Sequence, residues 1–176
     1  MKKMLFLAVT LVVVLSAGPM GAFADGGSVR WREIIGIIQA GNTVGSGTGT
    51  VTGGLFPWHT TRGRAAVNLA TGDLHFNVRG LVLAGGNFIG TRADLTQVRG
   101  TLVCDTTGSE TGDSTLVNTD LVPLSPQGNA RFSGNVGPLP SACLDSPNIA
   151  FLIRTAGGLW IAAGEVRVEA EDQDDD

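Results

Sequence analysis

Tyrosine is absent from the 176 residues, histidine and cysteine occur twice each, and lysine stands only at positions 2 and 3. Each gap narrows the function. Without lysine beyond the first residues, a Ser–Lys dyad and a phosphate loop ending in lysine are excluded. The run Gly45–Gly54 is therefore a strand or loop, and Val44-Gly45-Ser46-Gly47-Thr48 is not a G-x-S-x-G nucleophile elbow. Two histidines, His59 and His75, are the whole supply of imidazoles for acid–base work or metal binding. The missing tyrosine weakens a sugar-stacking platform. No basic patch shows along the chain, so nucleic acid is not an expected partner. There is no Asn-x-Ser/Thr sequon and no second long apolar run.

What is there begins with a leader. Lys2 and Lys3 precede the apolar stretch Met4–Leu15, which is short for a membrane span, and Ala22-Phe23-Ala24 is an A-x-A cleavage pattern. The sequence predicts a signal peptide over 1–24, cut between Ala24 and Asp25, a single domain over 25–168 and an acidic disordered tail over 169–176. An uncleaved anchor is the alternative. The expected product is secreted, periplasmic or otherwise extracellular, with no stable membrane anchor. Missing lysine and sequons suit a bacterial chain. Removing Lys2 and Lys3 takes the net charge from −4 to −6, and most of that excess lies in the tail EAEDQDDD.

In an oxidising compartment Cys104 and Cys143 are expected to pair. Closing a loop of about 40 residues would constrain the unfolded chain by about 4 kcal/mol. Two buried thiols are the alternative. A metal site at the pair lacks a second set of ligands.

The clearest structural signal is a hairpin from Arg64 to Leu83. Ala65, Val67 and Leu69 share one face of its first strand, and Leu74, Phe76 and Val78 one face of its second, the period of a half-buried strand. Ala70-Thr71-Gly72-Asp73 supplies the turn. Leu69 would face either Leu74 or Phe76. The first choice sets Arg64 opposite Arg79, unfavourable unless an anion lies between them. Gly80 reads as a bulge that frees Leu81 and Leu83 from the polar face. Further strands are expected over 28–39, 43–54, 96–105, 114–122 and 130–136. A second hairpin spans 149–168, with Trp31 and Trp160 in the core. Prolines punctuate the second half and no 3.6-residue period is sustained. About eight short strands indicate an all-β, antiparallel β-sandwich, or alternatively a small β-barrel.

Gly63, the Ala-x-Val-x-Leu strand, the Thr-Gly turn and Val78-Arg79-Gly80-Leu81 resemble the opening of a chordin-type (CHRD) domain. Phe132-x-Gly134-x-Val136, Leu139-Pro140, Ile153-Arg154-Thr155 and Gly158-x-x-x-Ala162-x-Gly164-Glu165-Val166-Arg167 resemble its closing strands. The family's His-x-His element after the first hairpin is missing here, where the chain reads Ala84-Gly85-Gly86-Asn87-Phe88-Ile89-Gly90, so no role of those histidines transfers. The resemblance implies an extracellular β module for binding or structure, without a known reaction.

Candidate sites follow. Trp58, beside Phe56 and Pro57, is either an exposed aromatic contact or a plug over one end of the core. His59 sits next to it. His75, Asn77 and Arg79, beside Arg64, form the outward face of the hairpin. Asp105, Glu110 and Asp113 gather oxygens in one loop, and calcium is the cofactor that set would take; a solvated loop is the other reading. Three functions compete. The first is an exported, non-enzymatic module that binds an extracellular protein or glycan or serves in the envelope or matrix. The second is a small secreted isomerase or hydrolase using His59 or His75. The third is a carbohydrate- or calcium-binding module.

Overall fold

The computed structural model describes residues 27–144 and 148–169. The leader, the Ala24–Asp25 cleavage point and the acidic run from residue 170 lie outside them. Glu169, expected to open the tail, is instead the last residue of a strand. In chain order the strands are β1 (Ser28–Gly36), β2 (Thr43–Val44), β3 (Val51–Thr52), β4 (Trp58–His59), β5 (Arg62–Asn68) and β6 (Asp73–Arg79). They continue as β7 (Val82–Leu83), β8 (Gln97–Cys104), β9 (Thr115–Asn118), β10 (Val122–Pro123), β11 (Ala130–Asn135), β12 (Ile149–Thr155) and β13 (Trp160–Glu169). A single helical turn, α1 (Ser141–Leu144), precedes β12.

The main sheet runs β10-β8-β12-β13-β1-β5-β6-β11, antiparallel throughout, and β9 follows β10 along the same edge of β8. Its two ends, β10 and β11, approach each other without sharing a ladder. The sheet is thus curled into a half-barrel. The expected all-β, antiparallel, disulfide-linked fold is present, and the curl places it nearer the barrel of the two architectures.

Inside the curl, Trp31, Phe151, Phe76 and Phe132 contact in series, with ring centroids 5.5, 5.7 and 6.1 Å apart. The first three are almost fully buried. Each such side chain contributes about 1.5–3 kcal/mol through burial alone. Val29, Ala65, Val67, Leu74, Val78, Leu102 and Ile153 fill the remaining interior.

The 64–83 hairpin forms, but in neither expected register. Val67 pairs with Leu74 and Ala65 with Phe76, so Arg64 meets Asn77 and Arg62 meets Arg79. The turn begins earlier than its Thr-Gly core suggests. Asn68 Oδ1 accepts from the N–H groups of Ala70 and Thr71, and Gly72 N–H donates to Asn68 O, which takes Leu69 out of the strand. The slip is an even number of residues, so the buried face is unchanged. Gly80 adopts φ +65° and reverses the facing of the chain, leaving Leu81 and Leu83 buried.

Residues 43–54 are not one strand. They fold as the short ladder of β2 and β3 around a 3-10 turn, Gly47–Gly49. This segment lies over the outer face of β8 and β13. A Cβ on Gly45 would touch Val103, one on Gly53 would strike Ile37 and one on Gly54 would touch Ile161. Trp160 lies on this covered side, opposite Arg154, and its Nε1 donates to Asn42 O at 2.9 Å. Cys104 and Cys143 are disulfide-bonded, joining the end of β8 to α1.

Candidate anion-binding groove

β1 and β5 pair only from Ser28 to Trp31, against Ala65 to Asn68. Beyond that point β1 stays with β13, β5 stays with β6, and the sheet splays. β4 plugs the gap. Trp58 N–H donates to Ile37 O at 2.8 Å, Thr60 Oγ1 to Ile34 O, and both Thr61 N–H and Oγ1 to Arg79 O. Gly36 makes this possible, because a Cβ there would lie 2.1 Å from Trp58 O. The short ladder β4–β7, Trp58 to Leu83 and His59 to Val82, ties the plug to the chain leaving the hairpin.

The splay leaves an open groove of about 800 Å³ lined by Arg32, Glu33, His59, Arg62, Arg64, Asn77 and Arg79, with Ile34, Gly36, Trp58 and Gly63 among its floor residues. Four guanidinium groups face one carboxylate. Arg62 and Arg79 are direct cross-strand partners, an arrangement that destabilises a sheet pair. Among the described residues none of the four arginines makes a side-chain hydrogen bond or ion pair. No basic patch shows along the sequence; the sheet assembles one from three strands, β1, β5 and β6. It continues outward, because Arg30 on β1 and Arg131 on β11 are also exposed, and Arg131 pairs with Asn77. Such a surface can bind a phosphate, sulfate or carboxylate through paired N–H donors, and His59 adds a ring donor.

The sequence-predicted residues separate into those the groove gathers and those it does not. His59, Arg79 and Arg64 line it. Trp58 lines it too, but as a buried residue at 9% exposure, so the exposed-contact reading is corrected: Phe56 is the exposed aromatic of that stretch. The ring is held down by the backbone bond to Ile37 and the ladder to Leu83. His75 lies on the same outer face of β6 but opposite Ser133 and Ala66, outside the groove. Among the described residues neither imidazole bonds to a carboxylate, and the two are not brought together.

Asp105, Glu110 and Asp113 do not converge on a cation position. Asp105 is buried and its carboxylate closes its own turn, accepting from Ser109 N–H and Oγ, Glu110 N–H and Thr107 Oγ1. The Glu110 amide leads in holding this carboxyl below its ordinary value, against the opposing effect of burial. Asp113 Oδ1 accepts from Thr48 N–H at 2.7 Å and so pins the loop to the 3-10 turn. Among the described residues no cluster of three His, Cys, Asp or Glu side chains could hold a metal ion. The calcium reading of this loop is replaced by a hydrogen-bonding one.

Sequence inspection missed Arg32 and Arg62. Arg62 falls between the expected strand over 43–54 and the hairpin from Arg64, and Arg32 in a strand whose sheet neighbours the letters do not give. The signal that could have found them is charge distribution. No Asp, Glu, Lys or Arg occurs from residue 34 to 61 or from 80 to 91, and Arg62 and Arg79 bound those two runs. Comparisons with protein-family models, curated proteins and solved structures each find no match.

Proposed function

We propose that the chain is an exported, chordin-type-like β module that binds an anionic ligand in the arginine groove and carries no reaction of its own. The observation behind this reading is the Arg62–Arg79 cross-strand pair, flanked by Arg32 and Arg64, with Glu33 as the lone carboxylate of the lining. A sheet keeps such a pair at a cost to stability unless something anionic offsets it. Arginine suits that task because its planar fork grips oxyanions bidentately and stays charged at any working pH. His59 lies in the groove and His75 outside it, and among the described residues neither bonds to a carboxylate, which supports binding over acid–base catalysis.

Calorimetric titration with inorganic phosphate and with dextran sulfate tests the reading. Binding should weaken as salt rises and fall about ten-fold or more in the Arg62→Gln/Arg79→Gln double variant, as loss of two charge-assisted contacts implies. An Arg92→Gln variant, outside the groove, should bind as the parent does. Equal binding by parent and double variant would sink the proposal.

A further inference from the structure

The groove ends in an exposed apolar rim. Ile38, Leu55, Phe56, Phe88 and Ile89 are between 56% and 82% exposed. They are not scattered. Trp58–Leu83 is the last pair of the β4–β7 ladder, Ala84 N–H donates to Pro57 O at 2.9 Å, and Trp58 N–H donates to Ile37 O. The chain on either side of Pro57, the loop after Leu83 and the end of β1 therefore leave the fold together. Gly90 N–H donates to Leu83 O, which closes the second loop with Phe88 and Ile89 at its tip. Ile38 lines the arginine groove itself, so rim and groove are continuous.

These loops carry no charge. Residues 34–61 and 80–91 lack Asp, Glu, Lys and Arg altogether; Arg62 stands where the first run re-enters the sheet and Arg79 where the second leaves it. Exposed contiguous apolar side chains mark an interaction surface. Two convex uncharged tips, collared by arginines, can enter a lipid interface without desolvating any ion, while the collar stays at headgroup level. A rigid protein partner would need a pocket shaped for each tip; a bilayer does not.

We infer that this end of the protein docks reversibly on an anionic lipid surface, with the Phe56 and Phe88 tips inserted and Arg62 and Arg79 on lipid phosphates. The inference rests on the groove's being an anion site, and names the source of the anion.

The test is cosedimentation of the processed chain, recovered after export, with phosphatidylcholine vesicles containing about a third phosphatidylglycerol, in the range where basic residues respond to surface charge. Inorganic phosphate binding and sedimentation velocity are measured in parallel. The expected result is partitioning that falls about ten-fold for each tip removed, in Phe56→Ser and Phe88→Ser. Loss of Arg62 or Arg79 should lower it about five-fold each. The tip variants should still bind phosphate, and circular dichroism should show them folded. Phosphate binding without vesicle binding overturns the docking and leaves the groove reading intact. Failure of both overturns both. Equal partitioning onto pure phosphatidylcholine removes the arginines from the inference and overturns it. A dimer that dissociates in the tip variants, without vesicle binding, assigns the rim to a second copy and overturns it as well.

Discussion

The two halves of the curled sheet are built from the same antiparallel pairing but finished differently. On β8, β12 and the start of β13 both faces are covered: Phe151, Leu152 and Ile153 are consecutive and none is exposed, the same holds for Trp160, Ile161 and Ala162, and Thr101 and Val103 are fully buried, Val103 beneath the 43–54 segment. On β5, β6 and β11 only the inner face is covered. The outer row runs Arg64, Asn77 and Arg131 across three strands, with His75 and Ser133 beside it. The covered half holds the fold together. The bare half keeps charges that the fold does not use.

The comparison predicts where substitutions hurt. Phe151→Ala should cost about 3–5 kcal/mol, because it removes the ring between Trp31 and Phe76. Reducing the Cys104–Cys143 bond should lower stability by about 4 kcal/mol, since a separation of 39 residues is released to the unfolded chain. Urea midpoints with and without reductant measure it, and an unchanged midpoint would show that the covered half does not depend on the tie. Gly49→Ala should cost about 1–3 kcal/mol, because its Cβ would lie 1.8 Å from Ser114 O and lift the cover from β8. On the bare half the sign reverses. Arg62→Gln should leave stability unchanged or raise it slightly, by less than about 1 kcal/mol in urea unfolding, as the repulsion across β5–β6 is relieved. A clear loss of stability would show that the groove arginines are structural after all.

The smallest effect is in acid. Asp105 on the covered half and Asp73 on the bare half both have pKa values held below the ordinary range, Asp105 foremost by the Glu110 amide and Asp73 foremost by Asn135. A lowered folded pKa stabilises above the unfolded value, about 3.9, and that contribution disappears as pH falls through the lower folded value. Melting curves between about pH 5 and pH 2 should therefore decline. Asp105→Asn and Asp73→Asn should each flatten the decline, and a slope unaltered in both would remove these carboxylates as its source.

Legibility in the sequence followed the same division. Strand β6, Asp73–Arg79, alternates cleanly because one of its faces meets water, and its inner and outer residues were readable from the letters. Strand β12 gives no such reading of facing, since Phe151, Leu152 and Ile153 are all apolar for two different reasons. Register escaped because it was fixed by one side chain, Asn68, bonding ahead to Ala70 and Thr71. The 43–54 run was legible as strand or loop but not as a ladder bent around a turn. In the groove His59, Arg64 and Arg79 could be named, whereas Arg32 and Arg62 gained meaning only when β1 and β5 were seen to part company.

The open seam between β10 and β11 gives the disulfide a second role. Both end strands of the sheet, β10 and β11, lie within the covalent ring that Cys104 and Cys143 close, together with β9. No backbone ladder zips the seam, and Pro123 offers no N–H with which to start one. The ring acts as a hoop passed around the slit of a rolled sheet. The turn 124–129, closed by Ser125 N–H on Asn129 O and Gly128 N–H on Ser125 O, tethers the two strands at one end, so the hoop's part is to fasten the segment that carries both of them back to the end of β8.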